Sequence, residues 1–493
     1  MKFAYTKFTI LFILIFSLHT NIKSTSDTHA KNAQAKDIQT TLHDLKQKKK
    51  ELLLKKIETA TDESLQARFD LATLYTEEQS YNLALEQFEF LVGQKPDNTN
   101  YAFQRANVLN TINKTEDALQ EYNRLLIKHP DNPIINYNIA YTNKKLGKID
   151  KALPYYYATI QKDPNHAEAH FGLGLAYLAT EDFIRGFEEY EWRWKRTSQK
   201  STAREYPQPE WDGSSLANKT IFLYAEQGLG DTYQFIRYAQ ELKKMGASVI
   251  VAVQNPLVQV IGLCPYIDKV IGLSEQPPQF DYYAPLMSLP RICKTTSKTV
   301  PNTTPYLYAD KKLTETWKKK LAADTNIKVG VCWQGNDQYS TAFLRTVVAA
   351  KCILLKQLAP LAAIPNVSLY NLQKETGTDQ LNDDYGFKLI SFDADFDATN
   401  GRFMDTAAVI ANLDLIITVD TSIAHLAAGL GRPTWVPLPE PADWRWMLKR
   451  VDSPWYPTMR LFRQPTQGDW DSVLATITKE LKTFVLEKKM LQK

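Results

Sequence analysis

The sequence predicts an α + α/β protein, in which a solenoid of helical hairpins precedes two successive α/β domains. The first observation is a 34-residue period of small, aromatic and proline residues between Leu65 and Tyr190, because stacked helical hairpins repeat at such intervals. The second is the alternation of short apolar runs with helical patterns from Ile221 onward, which is typical of parallel sheets covered by helices. The length of 493 residues allows several domains.

Residues 1–24 have the pattern of a signal peptide or an N-terminal tether. Lys2 and Lys7 precede an apolar run from Phe8 to Leu18, after which the sequence becomes polar. A helix over this run rises about 16 Å and falls short of the roughly 30 Å hydrocarbon core of a membrane. We therefore expect a protein that is exported or tethered to the inner membrane, with a cytoplasmic location as the alternative.

Residues 25–62 are rich in lysine and predict a charged helical segment. The interspersed apolar residues suggest that the helix has one apolar side, and they are Leu42, Leu45, Leu52, Leu53 and Ile57. Over the whole chain the formal net charge is only +4, which predicts no nucleic-acid partner. The four cysteines lie in unrelated contexts, so neither a zinc site nor a disulfide framework is expected.

A repeat fills residues 63–198, which hold about 3.5 to 4 units. Its columns contain a proline, two small residues and an aromatic residue, as follows: Pro96, Pro130, Pro164; Ala72, Ala106, Ala140, Gly174; Ala84, Ala118, Ala152, Gly186; Phe88, Tyr122, Tyr156, Tyr190. Small residues allow two helices to approach closely, and the aromatic ring fills the space beside them. The pattern resembles the tetratricopeptide repeat, whose groove binds peptides or partner proteins. A spacer without a ligand is the alternative.

After a polar linker from Thr197 to Lys219, the chain has two α/β halves, which we assign to residues 199–318 and 319–493. For the first half we predict strands at 221–224, 248–253, 269–271 and 282–286. Its predicted helices lie at 232–245 and 257–261. For the second half we predict strands at 328–333, 368–372 and 388–391. Its predicted helices lie at 353–362 and 404–412. Parallel-sheet patterning in both halves indicates two Rossmann-like domains that face a cleft.

The segment from Leu415 to Leu438 predicts a strand, a polar turn, a helix and a second strand. Asp420, Thr421 and Ser422 follow the first strand and have the residue types that cap a helix, here from Ile423 to Leu430. A helix start presents unpaired backbone donors and the positive end of a dipole. The turn therefore predicts a phosphate site at the carboxyl end of the strands. A generic unit of an α/β domain is the alternative interpretation.

A glycine turn follows the first strand of the first half. Gly228 and Gly230 allow a close backbone approach to a ligand. Tyr233 stands where a dinucleotide fingerprint needs a third glycine, so nicotinamide and flavin binding are not expected. Asp231 begins the next helix. It is either a structural helix cap or a general base that takes a proton from an acceptor hydroxyl in the cleft.

Four sequence motifs carry a family resemblance. They are EQGLGDTYQFIRYAQEL, FDYYAPLMSLP, DTAAVIANLDLIITVDTSIAHLAAGLGRP, and DWRWMLKR followed by DSPWYPTMRLFRQ. With the repeats, they resemble the glycosyltransferases related to bacterial heptosyltransferases, glycosyltransferase family 9, and more distantly the O-linked N-acetylglucosamine transferases. The resemblance spans roughly residues 65–481. It implies a GT-B fold, in which the C-terminal Rossmann-like domain holds a nucleotide-diphosphate sugar, and it implies no cofactor.

The resemblance also implies roles for individual residues. Asp231 matches the catalytic aspartate. Thr421 and Ser422 match the positions where the donor phosphates meet the helix start, with Asp420 just before them. His425 lies one turn into that helix and either packs there or contacts a donor phosphate. It is the only histidine in the second half of the sequence, so no metal-binding histidine cluster is expected there.

The sequence departs from the family at residues 337–345, after the Trp-Gln-Gly-Asn turn. Relatives usually have a basic run there, whereas Arg345 is the only basic residue left in this loop, and we expect it to serve the diphosphate. Gln373 and Lys374 follow the next strand and are expected to contact the nucleotide. The Asp-Ala-Asp run at 393–395 has the form of a metal-binding motif, but its position favours a solvated acidic loop.

The sequence therefore predicts a metal-independent glycosyltransferase without a cofactor, which moves a hexosyl or heptosyl group from a nucleotide sugar to a hydroxyl of a protein or glycan. The alternative from another class is a non-catalytic scaffold, whose repeats bind a protein and whose GT-B part is vestigial. The altered loop at 337–345 favours that alternative. A phosphorylase or an epimerase is weaker, because nothing marks a cofactor lysine or an epimerase acid pair.

Overall fold

The computed structural model of the protein describes residues 28–58, 62–196, 203–336 and 342–491. The chain divides into two compact units, Met1–Leu125 and Leu126–Lys493. The signal or tether expected at residues 1–24 lies outside the described residues. Among the described helices, none combines the length and the apolar composition that a membrane crossing requires.

The first unit consists of helices. They are α1 (Thr28–Ile57), α2 (Asp62–Glu77), α3 (Tyr81–Gln94), α4 (Thr99–Thr111) and most of α5 (Thr115–Lys128). Leu53 of α1 packs with Ala67 and Leu71 of α2. Leu45 and Leu52, which were expected on the apolar side of this helix, are exposed, so only part of that side covers the start of the repeats. Ala72 and Ala84 are fully buried, as the small-residue columns predict.

The second unit begins with the last repeat helices. They are α6 (Pro133–Lys145), α7 (Ile149–Lys162), α8 (Ala167–Ala179) and α9 (Phe183–Tyr190). Asn132 caps α6 by accepting from the N–H groups of Ile134 and Ile135. Gly174 allows α8 to approach α9 closely, because a Cβ there would lie 2.9 Å from Tyr190 N. The predicted helical hairpins are confirmed.

Four parallel strands form the first α/β sheet, in the order β3-β2-β1-β4. The strands and helices are β1 (Thr220–Tyr224), α10 (Leu229–Phe235), α11 (Arg237–Lys244), β2 (Ser248–Val253), α12 (Val258–Ile261), β3 (Lys269–Gly272), β4 (Tyr282–Pro285) and α13 (Leu289–Ile292). Ile221 and Leu223 pack into one core, whereas Phe222 and Tyr224 pack into another. Alternate side chains of β1 therefore bury on opposite faces, as a sheet covered on both sides requires.

Five parallel strands form the second sheet, in the order β6-β5-β7-β8-β9. The elements are α14 (Lys311–Leu321), β5 (Ile327–Cys332), α15 (Ala342–Ala350), α16 (Ala359–Ala362), β6 (Val367–Asn371), α17 (Met404–Ile410), β7 (Leu415–Thr418), α18 (Ser422–Gly429), β8 (Thr434–Leu438), β9 (Met459–Arg463) and α19 (Trp470–Leu491). Two parallel sheets after a helical repeat array confirm the predicted fold class.

One predicted strand is wrong, and two predicted helices are divided. The helix expected at 353–362 is a 3-10 helix at Leu355–Leu358 followed by α16 (Ala359–Ala362). Of the strand expected at 388–391, only Ile390 pairs, as an isolated bridge with Tyr370. The chain turns away beyond it, where the rings of Phe392 and Phe396 stack with centroids 4.4 Å apart. The helix expected at 232–245 is divided into α10 and α11, because the Arg237 side chain donates to Gln234 O at 2.7 Å and competes with the helical hydrogen bond there.

Candidate active site

The candidate active site is a cavity of about 470 Å³ that residues of both Rossmann-like domains line. The loops that follow β1, β5, β6 and β7 contribute most of its walls. These loops leave the carboxyl ends of parallel strands, which is the edge where open α/β sheets bind ligands. The cavity therefore lies where both the glycine turn and the predicted phosphate turn can contact one ligand.

The start of α18 presents uncapped backbone donors to this cavity. Thr421 is the N-cap residue, as predicted, but its side chain makes no capping hydrogen bond. Its Oγ1 lies 3.1 Å from Thr418 Oγ1 instead. Thr421 and Ser422 both line the cavity. A helix start without a side-chain cap keeps its first N–H groups and the positive end of its dipole for an anion.

Cationic side chains surround the same cavity. They are Lys351, Lys374, Arg402 and Arg445. Lys351 Nζ lies 3.3 Å from Asp420 Oδ2, so Asp420 holds a cation beside the helix start. Arg345 is exposed on α15 and is not among the residues that line the cavity. The structure thus offers Lys351 where the sequence analysis expected Arg345.

Asp231 lies in the first turn of α10 and lines the cavity. Its Oδ2 accepts a hydrogen bond from Gly228 N at 2.8 Å, so it has the structural capping role that was the alternative interpretation. Its Oδ1 accepts from Arg445 Nη2 at 2.5 Å. The side chain is 19% exposed. Both interactions fix the orientation of the carboxylate while one side of it faces the cavity.

Arg445 connects the two domains at the cavity. Its Nη1 donates to Asp443 Oδ1 at 2.8 Å and its Nε to Gln234 Oε1 at 3.0 Å. Burial alone would lower the pKa of Arg445, but the carboxylates of Asp231 and Asp443 raise it above its ordinary value. The guanidinium therefore stays charged and holds three acceptors in one plane.

His425 is buried and neutral. Burial, followed by the positive charges of Arg445 and Arg237, lowers the pKa of His425 well below its ordinary value of 6.5. Its ring stacks on Trp446 with centroids 5.4 Å apart. Its Nδ1 lies 2.7 Å from the Tyr456 hydroxyl. The packing role considered from the sequence is therefore present.

The Tyr456 hydroxyl and His425 Nδ1 share one hydrogen bond, whose direction depends on the tautomer of His425. Tyr306 donates its hydroxyl hydrogen to Tyr233 O at 2.8 Å, and Arg237 offers only donors. In the tautomer in which the Tyr456 hydroxyl donates to His425 Nδ1, the ring hydrogen lies on Nε2. That nitrogen is next to Gly230, which also lines the cavity. His425 can thus donate an uncharged hydrogen bond to a ligand.

The glycines of the turn have different roles. A Cβ at Gly230 would lie 2.8 Å from His425 Cδ2, so only glycine lets α10 approach α18 this closely. Gly228 is the N-cap of α10 and supplies the N–H group that Asp231 accepts from. The close approach at Gly230 is to the His425 side chain and joins the two domains, whereas the approach of this turn to a ligand stays a prediction.

Gln373 is buried and already bonded within the protein. Its Oε1 accepts from the N–H groups of Trp333 at 3.0 Å and Gln334 at 2.9 Å, and its Nε2 donates to Gln334 O and Thr376 O. This amide ties the turn after β5 to the turn after β6. Lys374 Nζ donates to Phe396 O at 2.5 Å. Both residues line the cavity, and their contact with a nucleotide stays a prediction.

The acidic loop holds no metal cluster. Asp393 and Asp395 are exposed, as expected for a solvated loop, and within the described ranges no group of three histidine, cysteine or acidic side chains is arranged to hold a metal ion. Asp397 differs from its neighbours, because it is buried and lines the cavity.

The last repeat contacts the glycine turn directly. Arg193, only 1% exposed, follows α9 and donates to both carboxylate oxygens of Glu226, at 2.8 Å and 3.0 Å. It also donates to Ser288 Oγ at 2.7 Å. Gln227 Nε2 donates to the Tyr190 hydroxyl at 3.1 Å. The sequence after the fourth repeat therefore docks on the loop that carries Asp231.

Arg445, Lys351 and Asp397 are cavity residues that the sequence did not single out. Arg445 lies within the DWRWMLKR motif, which carried the resemblance without any assignment to single residues. Lys351 follows α15 and Asp397 precedes α17. Neither stands in a pattern that signals a site, because each reaches the cavity only through the folding of a loop.

Two family models match parts of the chain. The tetratricopeptide repeat matches residues 69–133 and 137–190. Glycosyltransferase family 9 (heptosyltransferase) matches residues 400–435, which include α17, β7 and α18. The chain carries tetratricopeptide repeats and a family 9 segment. The family 9 segment contains the uncapped helix start and His425, and it indicates glycosyl transfer as the class of reaction.

Individual proteins are similar to the chain over longer stretches. Protein FlbA of Caulobacter vibrioides is 24% identical over 345 residues, which cover 64% of this chain and 55% of FlbA. The chain thus spans about half the length of the curated relative it matches. A glycosyl transferase family 9 structure from Veillonella parvula aligns over 56% of this chain and all of that chain, with 12% identity and a TM-score of 0.41.

The repeats also align with solved structures. YrrB, described as a tetratricopeptide repeat protein with an unusual peptide-binding site, aligns over 27% of this chain and 68% of that chain, with 20% identity and a TM-score of 0.25. The strand order and the helical hairpins of the chain itself define its fold.

Proposed function

We propose that the chain transfers a sugar from a nucleotide-diphosphate sugar to a hydroxyl group of an acceptor. The observation that carries the proposal is that one cavity joins Asp231 to the uncapped start of α18. A transferase of this class needs a base for the acceptor and a positive site for the departing diphosphate. The family 9 match over residues 400–435 supports the same chemistry.

Asp231 is the proposed general base. As the acceptor oxygen forms its bond to the anomeric carbon, Asp231 takes the hydroxyl proton. The bond from that carbon to the diphosphate oxygen breaks, and its electron pair leaves with the diphosphate. Arg445 and Gly228 N each bind one carboxylate oxygen, so the lone pairs that remain point in fixed directions. Such positioning lowers the entropic part of the barrier.

The departing diphosphate is proposed to meet the N–H groups at the start of α18, with Lys351 and His425 Nε2 beside them. Thr421, Ser422 and His425 would thus contact the donor, while Asp420 keeps Lys351 in place. Because these groups supply positive charge and hydrogen-bond donors, we propose that the diphosphate leaves without a metal ion. Arg345 remains a proposed donor contact only through a movement of α15.

A polypeptide is the proposed partner of the last repeats, and we propose that it is also the acceptor. Helix α6 carries Tyr137 and Tyr141, whose ring centroids are 6.2 Å apart, and then Lys144, whose Nζ is 5.7 Å from the Tyr141 ring. Burial lowers the pKa of Lys144, and the charge of Asp443 opposes that shift. Asp443 in turn binds Arg445. The electrostatic interaction of Lys144 with Asp443 thus connects the last repeats to the cavity.

The base is tested by substitution of Asp231. We expect Asp231→Ala and Asp231→Asn to lower turnover of a nucleotide sugar by about 10²- to 10⁴-fold, the usual contribution of a general base, while nucleotide binding persists. Asp212, an exposed carboxylate of the same domain, supplies the control, and Asp212→Ala should keep full turnover. Wild-type turnover in both Asp231 variants would contradict the assignment.

Calorimetry separates the transferase from the scaffold. Uridine, guanosine and adenosine diphosphates and their sugar-linked forms are titrated into the full chain. We expect one nucleotide series to bind. If none binds at millimolar concentration, the non-catalytic scaffold becomes the better account, since its repeats would retain a partner while the cavity has lost its donor.

A further inference from the structure

Asp397 is a buried carboxylate in the cavity wall that forms no ion pair with any residue of the described ranges. Its Oδ1 accepts from Thr406 N at 3.0 Å, and its Oδ2 accepts from Thr406 Oγ1 at 2.5 Å. An ionised carboxylate has about four acceptor positions. Two of them are used, so acceptor capacity remains for a ligand in the cavity.

The turn that carries Asp397 is held rigidly. Asp405 Oδ2 accepts from Asp397 N at 3.0 Å, and Asp405 Oδ1 accepts from Trp317 Nε1 at 2.7 Å. Phe403 has a left-handed backbone, with φ 66°, and it lines the cavity while its ring packs edge-on against Tyr233. A left-handed phenylalanine persists only where its surroundings enforce it, and such positions concentrate at functional sites.

The charge of Asp397 indicates which part of a ligand it binds. A carboxylate repels the phosphates that the start of α18 attracts, but it accepts hydrogen bonds from hydroxyl groups. Burial without a hydrogen-bonded cation is costly unless a ligand supplies donors. We propose that Asp397, with Thr406 and Phe403, forms the subsite for the sugar of the donor and accepts hydrogen bonds from its hydroxyl groups. This inference rests on the proposed function.

The burial of Asp397 also supports its assignment to the sugar subsite. It raises the pKa of Asp397 above its ordinary value, while the hydrogen bonds from Thr406 and the charge of Lys374 act in the opposite direction. Asp397 also caps α17 by accepting from Thr406 N, so a purely structural role needs its own control. Asp397→Asn keeps an amide oxygen for that cap, removes the charge and replaces the second acceptor oxygen with an NH2 donor.

Calorimetry on the full chain tests the subsite. Each nucleoside diphosphate is titrated beside its hexose-linked form. The Kd of the nucleoside diphosphate divided by the Kd of the hexose-linked form measures what the sugar adds to the affinity. We expect Asp397→Asn to reduce that ratio by about 10- to 100-fold, the range for a hydrogen bond to a charged group, while the affinity for the nucleoside diphosphate alone is unchanged. Asp395→Asn, an exposed carboxylate two residues away, should behave as wild type.

A sugar-linked nucleotide that lacks one hydroxyl completes the design. Wild type should bind it more weakly than the parent compound, and Asp397→Asn should not distinguish the two. An unchanged ratio in Asp397→Asn overturns the inference, as does an equal loss of the nucleoside diphosphate and its sugar-linked form. Wild-type protein that binds no nucleotide is a different result, because it overturns the proposed function itself.

Discussion

Arg445 holds Asp231 by one of its three donor groups, so its removal should affect stability and turnover together. Its side chain is 11% exposed and that of Asp231 19%. Arg445→Met keeps the volume but leaves Asp231 and Asp443 without their cation. We expect it to lower the free energy of unfolding by about 3 kcal/mol, the usual loss when one partner of a buried pair is removed. Urea unfolding at pH 7 measures the loss.

Arg450 supplies the matched control for that experiment. It pairs with Glu181 and Asp452 at 3.0 Å and 2.7 Å, but its side chain is 30% exposed. Pairs that water reaches contribute about 1 kcal/mol or less. Arg450→Met should therefore cost far less than Arg445→Met. Equal losses would show that burial does not set the strength of the Arg445 interactions.

His425 should make the protein less stable in acid. Burial and the neighbouring arginines hold the pKa of His425 well below 6.5, whereas the unfolded chain titrates near 6.5. Between these two pKa values the unfolded state binds more protons, so stability falls as the pH drops below about 6.5, by up to about 1.4 kcal/mol per pH unit. Above pH 6.5 both states hold His425 neutral, so its protonation no longer lowers the free energy of unfolding.

The pH dependence can be assigned to His425 by substitution. His425→Asn keeps an acceptor for the Tyr456 hydroxyl and removes the titration, so unfolding free energies between pH 6.5 and 5 should change less steeply than in wild type. His129, which is exposed, gives the control, and His129→Asn should keep the wild-type slope. The same slope in His425→Asn would assign the pH dependence to other groups.

Residues of the cavity differ in how well the sequence predicts them. Thr421, Ser422 and His425 follow one strand within a few residues, so a local pattern suffices to bring them together. Arg445 and Asp231 are 214 residues apart, and only the packing of the two domains brings them into contact. No local pattern carries that information, because the pairing depends on a Gly230 backbone that permits α10 to approach α18.

At the scale of elements, the turn after α9 is joined to the loop after β1 by the Arg193–Glu226 pair. Burial raises the pKa of Glu226, although Arg193 opposes the shift. Arg193→Met leaves a buried carboxylate and should cost about 3 to 5 kcal/mol. Replacing both partners, as Arg193→Met with Glu226→Met, removes the charge of Glu226 and should recover part of that loss. Glu191, which also pairs with Arg193 at 2.6 Å, is 21% exposed and keeps its hydrogen bonds from Ser288. Chemical unfolding of the single and double variants measures the loss and the recovery of unfolding free energy.

An exposed pair in the first α/β domain provides the comparison. Lys243 Nζ lies 2.7 Å from Asp268 Oδ2, and the two side chains are 37% and 44% exposed. Lys243→Met should change the unfolding free energy by about 1 kcal/mol or less.

If the Arg193→Met/Glu226→Met protein is no more stable than Arg193→Met alone, the charge of Glu226 is not what destabilises the single variant.

The sequence predicts elements where one periodicity dominates and fails where side chains override it. The repeats and the strands β1, β2, β5 and β7 follow from spacing and apolar runs alone. The division of α10 from α11 depends on the Arg237 side chain binding Gln234 O, and the missing strand at 388–391 depends on aromatic stacking after Ile390. Helix α14 follows Asp310, which caps it, yet we did not predict it, although a helix cap is a signal that sequence analysis can detect.

For the whole molecule, the last repeat hairpin packs against the two α/β domains as well as belonging to the solenoid. Phe183 stacks on Trp455 and Phe187 contacts Trp444, with ring centroids 5.6 Å and 5.8 Å apart. Both tryptophans belong to the second α/β domain, whereas Glu226 belongs to the first. Helix α9 and the turn after it therefore join the two domains that form the cavity.

This arrangement predicts how the chain responds to shortening. A chain that starts at Asn132, the cap of α6, keeps α6 to α9, and because Leu126–Lys493 is a compact unit by itself, we expect cooperative unfolding to persist. A chain that starts at residue 203 uncovers Trp444 and Trp455, and each large aromatic side chain loses about 1.5 to 3 kcal/mol of burial. It also leaves Glu226 without Arg193. We therefore expect a much lower melting temperature or insoluble protein, as thermal unfolding and gel filtration would show. Equal melting temperatures for the two shortened chains would contradict a structural role for α8 and α9, since only the second chain lacks them.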